Sequence, residues 1–163
     1  MVGQVRSLLR LKKSYLPPMA WCYQIALECG SADPSLNANA AKLQSFCAQL
    51  NGAFFSQHGD DMGNVWICLN ISYTVITEAE WKVISAPVWR EVVAQLDFRF
   101  GFCGLEVEQV HTYAELMEDP PDWAAFEAVA LGTAVWQALD CPAGFVAARE
   151  GIVVWTGESD ALE

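Results

Sequence analysis

The stretch Ala20-Trp21-Cys22-Tyr23-Gln24-Ile25-Ala26-Leu27-Glu28-Cys29, followed by Asp33-Pro34, decides the fold class. Trp21, Tyr23, Ile25 and Leu27 fall on one side of a period-two pattern, and Gln24, Ala26 and Glu28 on the other. That alternation reads as a half-buried strand. Asp33 can accept from the orphan N–H groups of a helix start, and Pro34 suits the first helical position. Leu36, Leu43, Cys47 and Leu50 then recur at helical spacing until Asn51-Gly52, both tolerant of a left-handed backbone, ends the helix. Residues 53–57 and 64–71 read as a hairpin around His58-Gly59-Asp60-Asp61-Met62-Gly63.

Further along the chain, Thr77 and Glu80 form a capping box that predicts a helix over 78–96, broken into two pieces by Pro87. Phe98, Phe100 and Phe102 alternate again, and Leu105 and Val107 continue past Gly104, where a bulge or bend is expected. Asp119-Pro120 repeats Asp33-Pro34 at a distance of 86 residues and predicts a helix reaching Leu139. Residues 143–148 and 152–156 form a last hairpin across Arg149-Glu150-Gly151. Strand, helix and hairpin therefore occur twice. The reading is α+β, a mostly antiparallel sheet covered by helices, with two βαββ halves as a working hypothesis.

The chain has 163 residues, a length that favours one domain, assigned here to 19–163. Residues 1–18 differ from the rest. They are basic, end in Pro17-Pro18, and read either as a short amphipathic helix or as an N-terminal extension. At 53% hydrophobic residues the composition excludes a disordered chain.

The net charge of −11 is unevenly placed. Residues 1–13 carry +4, residues 14–100 carry −4, and residues 101–163 hold twelve acids against Arg149 alone. Nucleic-acid affinity comes from Lys and Arg displacing counterions, so direct binding to DNA or RNA is disfavoured. An anionic membrane leaflet is disfavoured for the same reason. The expected partner is a basic protein.

The six cysteines, Cys22, Cys29, Cys47, Cys68, Cys103 and Cys141, form no CxxC pair, so zinc ribbons and thioredoxin-type motifs are out. Most lie inside apolar runs, as free buried thiols do. No signal peptide or membrane span is expected, and the compartment read from this is a reducing cytoplasm. No cofactor is implied.

Several groups invite a functional reading. Gly101-Phe102-Cys103-Gly104 with His111 could supply a thiolate and its base, but Glu106 and Glu108 nearby would raise the thiol pKa. His58, Asp60 and Asp61 could be metal ligands, yet they lack the alternation and closing Glu of a calcium loop. Glu106, Glu108, His111 and Glu115 carry no fixed metal spacing. Trp81 and Trp89, eight apart, could line a groove or simply fill the core. The run 124–139 is apolar nearly all round, which predicts a helix buried on more than one side, either inside the chain or as a homodimer seam.

The acidic run is the favoured binding surface. Glu106, Glu108, Glu115, Glu118, Asp119 and Asp122 stand without a base, with Tyr113, Met117 and Trp123 interleaved. Such a run is either a solvated face or a contact surface, in which aromatics and Met form the centre and charges steer encounter. With no catalytic or metal motif, the expectation is a non-catalytic acidic protein that neutralises a basic target. Its concrete form is an immunity protein or antitoxin against a bacterial toxin. The alternatives are a phage-type inhibitor of a nucleic-acid-binding defence complex, a small cysteine-dependent enzyme using Cys103 and His111, and a small-molecule-binding or assembly module.

Overall fold

The computed structural model describes residues 21–157. The expectations for 1–18 therefore lie outside the described residues. The first half follows the predicted order of elements: strand β1 (Cys22–Ser31), helix α1 (Pro34–Gln49), then the hairpin β2 (Ala53–Gly59) and β3 (Asn64–Ser72). β1 itself is not half-buried as expected: it lies inside the sheet with both faces covered, so Gln24, Ala26 and Glu28 are buried along with Ile25 and Leu27. Asp33 caps α1, its carboxylate accepting from the N–H groups of Ser35 at 2.8 Å and Leu36 at 3.2 Å. The joining helix α2 (Glu78–Gln95) starts at the Thr77–Glu80 capping box.

Helix α2 departs from expectation by running unbroken through Pro87. Pro87 lies on the solvent side, as does Val83, 76% exposed one turn earlier. The carbonyl that loses its donor thus faces water, which removes much of the penalty for an interior proline.

The second half is strand β4 (Phe100–Leu105), helix α3 (Tyr113–Glu118), a 3-10 turn at Trp123–Ala125, strand β5 (Ala128–Gly132), helix α4 (Thr133–Ala138), and the hairpin β6 (Phe145–Arg149) and β7 (Ile152–Trp155). All seven strands form one antiparallel sheet, in the order β2-β3-β1-β4-β5-β7-β6. The fold is α+β.

Two expectations fail here. Residues 124–139 are not one helix, and the second half is not a plain βαββ unit, because β5 is inserted beside β4. Phe100 pairs with Leu131 and Phe102 with Val129. Ala130 is buried in the core on one face of the sheet, and Val129 and Leu131 are buried in the core on the other. β5 is covered on both faces and carries no polar side chain to mark either one, so it shows no alternation and resembles a helix that is apolar all round. The helix on which one of the two readings placed a homodimer seam is therefore absent. Asp119, expected to start the helix, instead closes α3 at its C-terminus.

The sheet separates two cores. On one face α1 and α2 cover Ile25, Leu27, Ile67 and Leu69, with Trp81 fully buried among them. On the other, residues 107–126 and α4 cover Trp66, Phe100, Phe102 and Leu131.

Candidate functional site

The acidic segment begins where β4 ends. Gly104 has φ of +154° and Glu106 φ of +53°, so the chain turns sharply out of the sheet. Two bonds pin the turn to β1: the Glu106 N–H donates to the Cys22 carbonyl at 2.9 Å, and the Glu106 carboxylate accepts from the Cys22 N–H at 2.6 Å. The Glu108 N–H donates to Gln24 Oε1 at 3.0 Å. Gln24 donates to Asn70, which reaches Ser56 and the Phe54 carbonyl, forming a chain of amides across three strands. The Glu108 carboxylate is mostly covered and lies 3.7 Å from His58 Nε2. Burial pushes its pKa up, opposed by the facing His58.

Helix α3 is capped by Thr112 and Glu115, each side chain bonding the other's backbone N–H. Thr112-x-x-Glu115 is itself a capping-box signature in the sequence, and it, rather than Asp119-Pro120, starts the helix of this segment. Leu116 is fully buried, and Tyr113, Met117 and Trp123 turn inward against the second core. The Tyr113 ring lies under the Arg99 guanidinium at 4.2 Å, and Trp123 meets Phe145 edge-on at 5.2 Å.

The nine residues singled out from the sequence thus divide by environment. Tyr113, Met117 and Trp123 are half-buried supports. Glu106, Glu108 and Glu115 are partly buried, and Glu106 and Glu115 hold backbone N–H groups with their carboxylates. Glu118, Asp119 and Asp122 are exposed. Asp122 caps the 3-10 turn by accepting from the Ala124 N–H at 3.1 Å.

A cleft of about 940 Å3 opens between α2 and the segments that leave β4 and enter β5. No local sequence pattern marks it, because its walls come from distant parts of the chain. Cys103 and His111 both line it, as do Trp89 and Phe126. Trp81 does not: its indole N–H donates at 2.7 Å to Glu127, whose carboxylate also lies 3.8 Å from Cys103 Sγ. Burial and the Glu127 carboxylate push the Cys103 thiol far above its ordinary value, holding the proton on sulfur. A nucleophilic cysteine needs the opposite environment, a nearby cation or helix N-terminus.

Among the described residues, no three of His, Cys, Asp and Glu converge to hold a metal ion. Asp60 accepts from the N–H groups of Met62 and Asn64, both at 2.9 Å, which makes it the brace of the β2–β3 turn. No helix among these residues is long and apolar enough to cross a membrane. All six thiols are free, and Cys141 is the exposed one.

No family model, no curated protein and no solved structure matches this chain.

Proposed function

We propose that this chain is a non-catalytic acidic binding protein that neutralises a basic protein, most concretely a cytoplasmic immunity protein or antitoxin acting on a bacterial toxin. The placement of Glu118 and Asp119 carries the reading. Both are exposed at the carboxyl end of α3, and no base stands in that turn. Peptide dipoles already concentrate negative charge at a helix C-terminus, so anions are disfavoured there. A local conflict of this kind is typical of functional sites, and a cationic surface would relieve it.

The rest of the charge distribution points the same way. Lys42 donates to the Gln95 carbonyl, Lys82 pairs with Glu78, Arg99 pairs with Glu28, and Arg149 is held by the carbonyls of Val93 and Leu96. Among the described residues, Arg90 is then the one Lys or Arg without a hydrogen bond or ion pair of this kind. Glu118, Asp119 and Asp122 would meet the partner, while Glu106, Glu108, Tyr113, Glu115, Met117 and Trp123 hold the segment that presents them. Long-range attraction would raise the association rate.

The test is association of the purified chain with the basic protein it captures in its native host. The double variant Glu118→Lys, Asp119→Lys should slow association at least tenfold at low salt, with the difference largely screened at about 0.5 M. A basic partner whose binding ignores both the reversals and the salt would sink the reading. Should the partner be a nucleic-acid-binding complex, the same physics would serve a phage-type inhibitor.

A further inference from the structure

We propose that the cleft beside α2 binds a small monocarboxylic acid with an apolar or aromatic body, anchored on Arg90. This site is separate from the acidic surface of α3, and neither reading depends on the other.

Most of the charged groups in the cleft are already engaged. Glu78 and Lys82 bond each other at 2.7 Å. Glu106 accepts from the Cys22 N–H, and Glu127 accepts from the Trp81 indole. Arg90 also lines the cleft and is exposed, and no carboxylate among the described residues pairs with it. In a chain with more than twice as many acids as bases, an unpaired guanidinium at the mouth of a cleft is a notable donor. Its planar fork matches a carboxylate through two parallel N–H···O bonds.

The body of the ligand follows from the walls. Trp89, Phe126, Val107 and Val110 offer apolar and aromatic surface, and the volume suits a small organic molecule. The charge state follows from the three glutamates lining the same space. Against two cations they leave the lining net negative by one, which opposes any anion and a dianion such as a phosphomonoester about twice as strongly as a monoanion, so the attraction for a single carboxylate comes from the local contact with Arg90. A neutral ligand would leave the Arg90 fork without its best partner.

The experiment uses the full chain, labelled with 15N. Benzoate, 3-phenylpropionate and octanoate are titrated while the Arg90 side-chain N–H and the Trp89 indole N–H are followed. At least one acid should move both signals along a saturable curve. The matching amide should bind at least tenfold more weakly, as should the acid with Arg90→Gln. Phenyl phosphate and 3-phenylpropylamine should bind more weakly than 3-phenylpropionate. Arg90 is exposed, so the variant keeps the fold, verified by an unchanged melting temperature. The proposal is overturned if none of the three acids saturates either signal. It is equally overturned if the amide, the phosphate or the amine binds as tightly as the acid, or if Arg90→Gln leaves acid binding intact.

Discussion

Glu28 and Arg99, 71 residues apart, form a two-point ion pair in which the carboxylate is fully buried. Arg99 Nε lies 3.1 Å from Oε1 and Nη2 lies 2.5 Å from Oε2. The Gly30 N–H also donates to Oε1, and Tyr113 closes over the guanidinium. Removing one partner leaves a buried charge uncompensated. Arg99→Met is therefore expected to cost about 3–5 kcal/mol in urea unfolding, and adding Glu28→Gln to it should recover a large part of that loss. Additive losses from the two substitutions would show that the pair is not coupled.

Gly30 bears on the same pair. Its φ is +73°, and a Cβ there would sit 3.2 Å from Arg99 Nε. Gly30→Ala should cost on the order of 1–3 kcal/mol by chemical denaturation, because the left-handed backbone strains any side chain and Arg99 must give way.

The acidic segment depends on its own cap and anchor. Thr112→Ala removes the α3 cap and should destabilise by about 1 kcal/mol. Leu116→Ala, at a fully buried site, should cost about 2–5 kcal/mol. Both are read from denaturant midpoints. If Leu116→Ala proved neutral, the segment would not be packed on the second core as described.

Mild acid should stabilise the protein. Burial raises the pKa values of Glu108 and Glu127 above the ordinary glutamate value of 4.5. Between that value and the raised ones the folded chain binds more protons than the unfolded chain, so stability falls as pH rises through this window. Below it the trend reverses, as Asp33, Glu78 and Glu80, held low by hydrogen bonds, are protonated in turn. Melting temperatures measured between pH 4.5 and 7 should slope less steeply in Glu127→Gln, which keeps an acceptor for Trp81 and loses the titration.

Thiol alkylation separates binding from cysteine chemistry. Iodoacetamide should label exposed Cys141 in the native protein, while Cys68 and Cys103, whose pKa values are raised by burial and by adjacent carboxylates, stay silent until unfolding. Rapid native labelling of Cys103 would favour the enzyme reading.

The first half of the chain was legible because β1 reads as alternating and Asp33-Pro34 does what its chemistry allows. The second half was less so. Residues 128–132 are buried on both faces, and a pattern without polar positions carries no period. The fate of the acids was illegible for another reason. Only the folded chain brings Glu106 against Cys22, 84 residues away, or places Glu108 beside His58. Composition registered the excess of carboxylates and could not tell which ones serve as internal braces. Cys103 and His111 were visible as a pair. Their common cleft, and the carboxylate that keeps the thiol protonated, were not.

The cover over the second face of the sheet has a consequence for synthesis. β1 and β3 lie within the first 72 residues, yet Ala26, Trp66 and Cys68 are covered from segments beyond residue 106. A nascent chain that has assembled its first three strands therefore carries an oily, unprotected flank until some fifty further residues leave the ribosome. That interval is when the protein is most open to sticking, and when a holding chaperone would bind it.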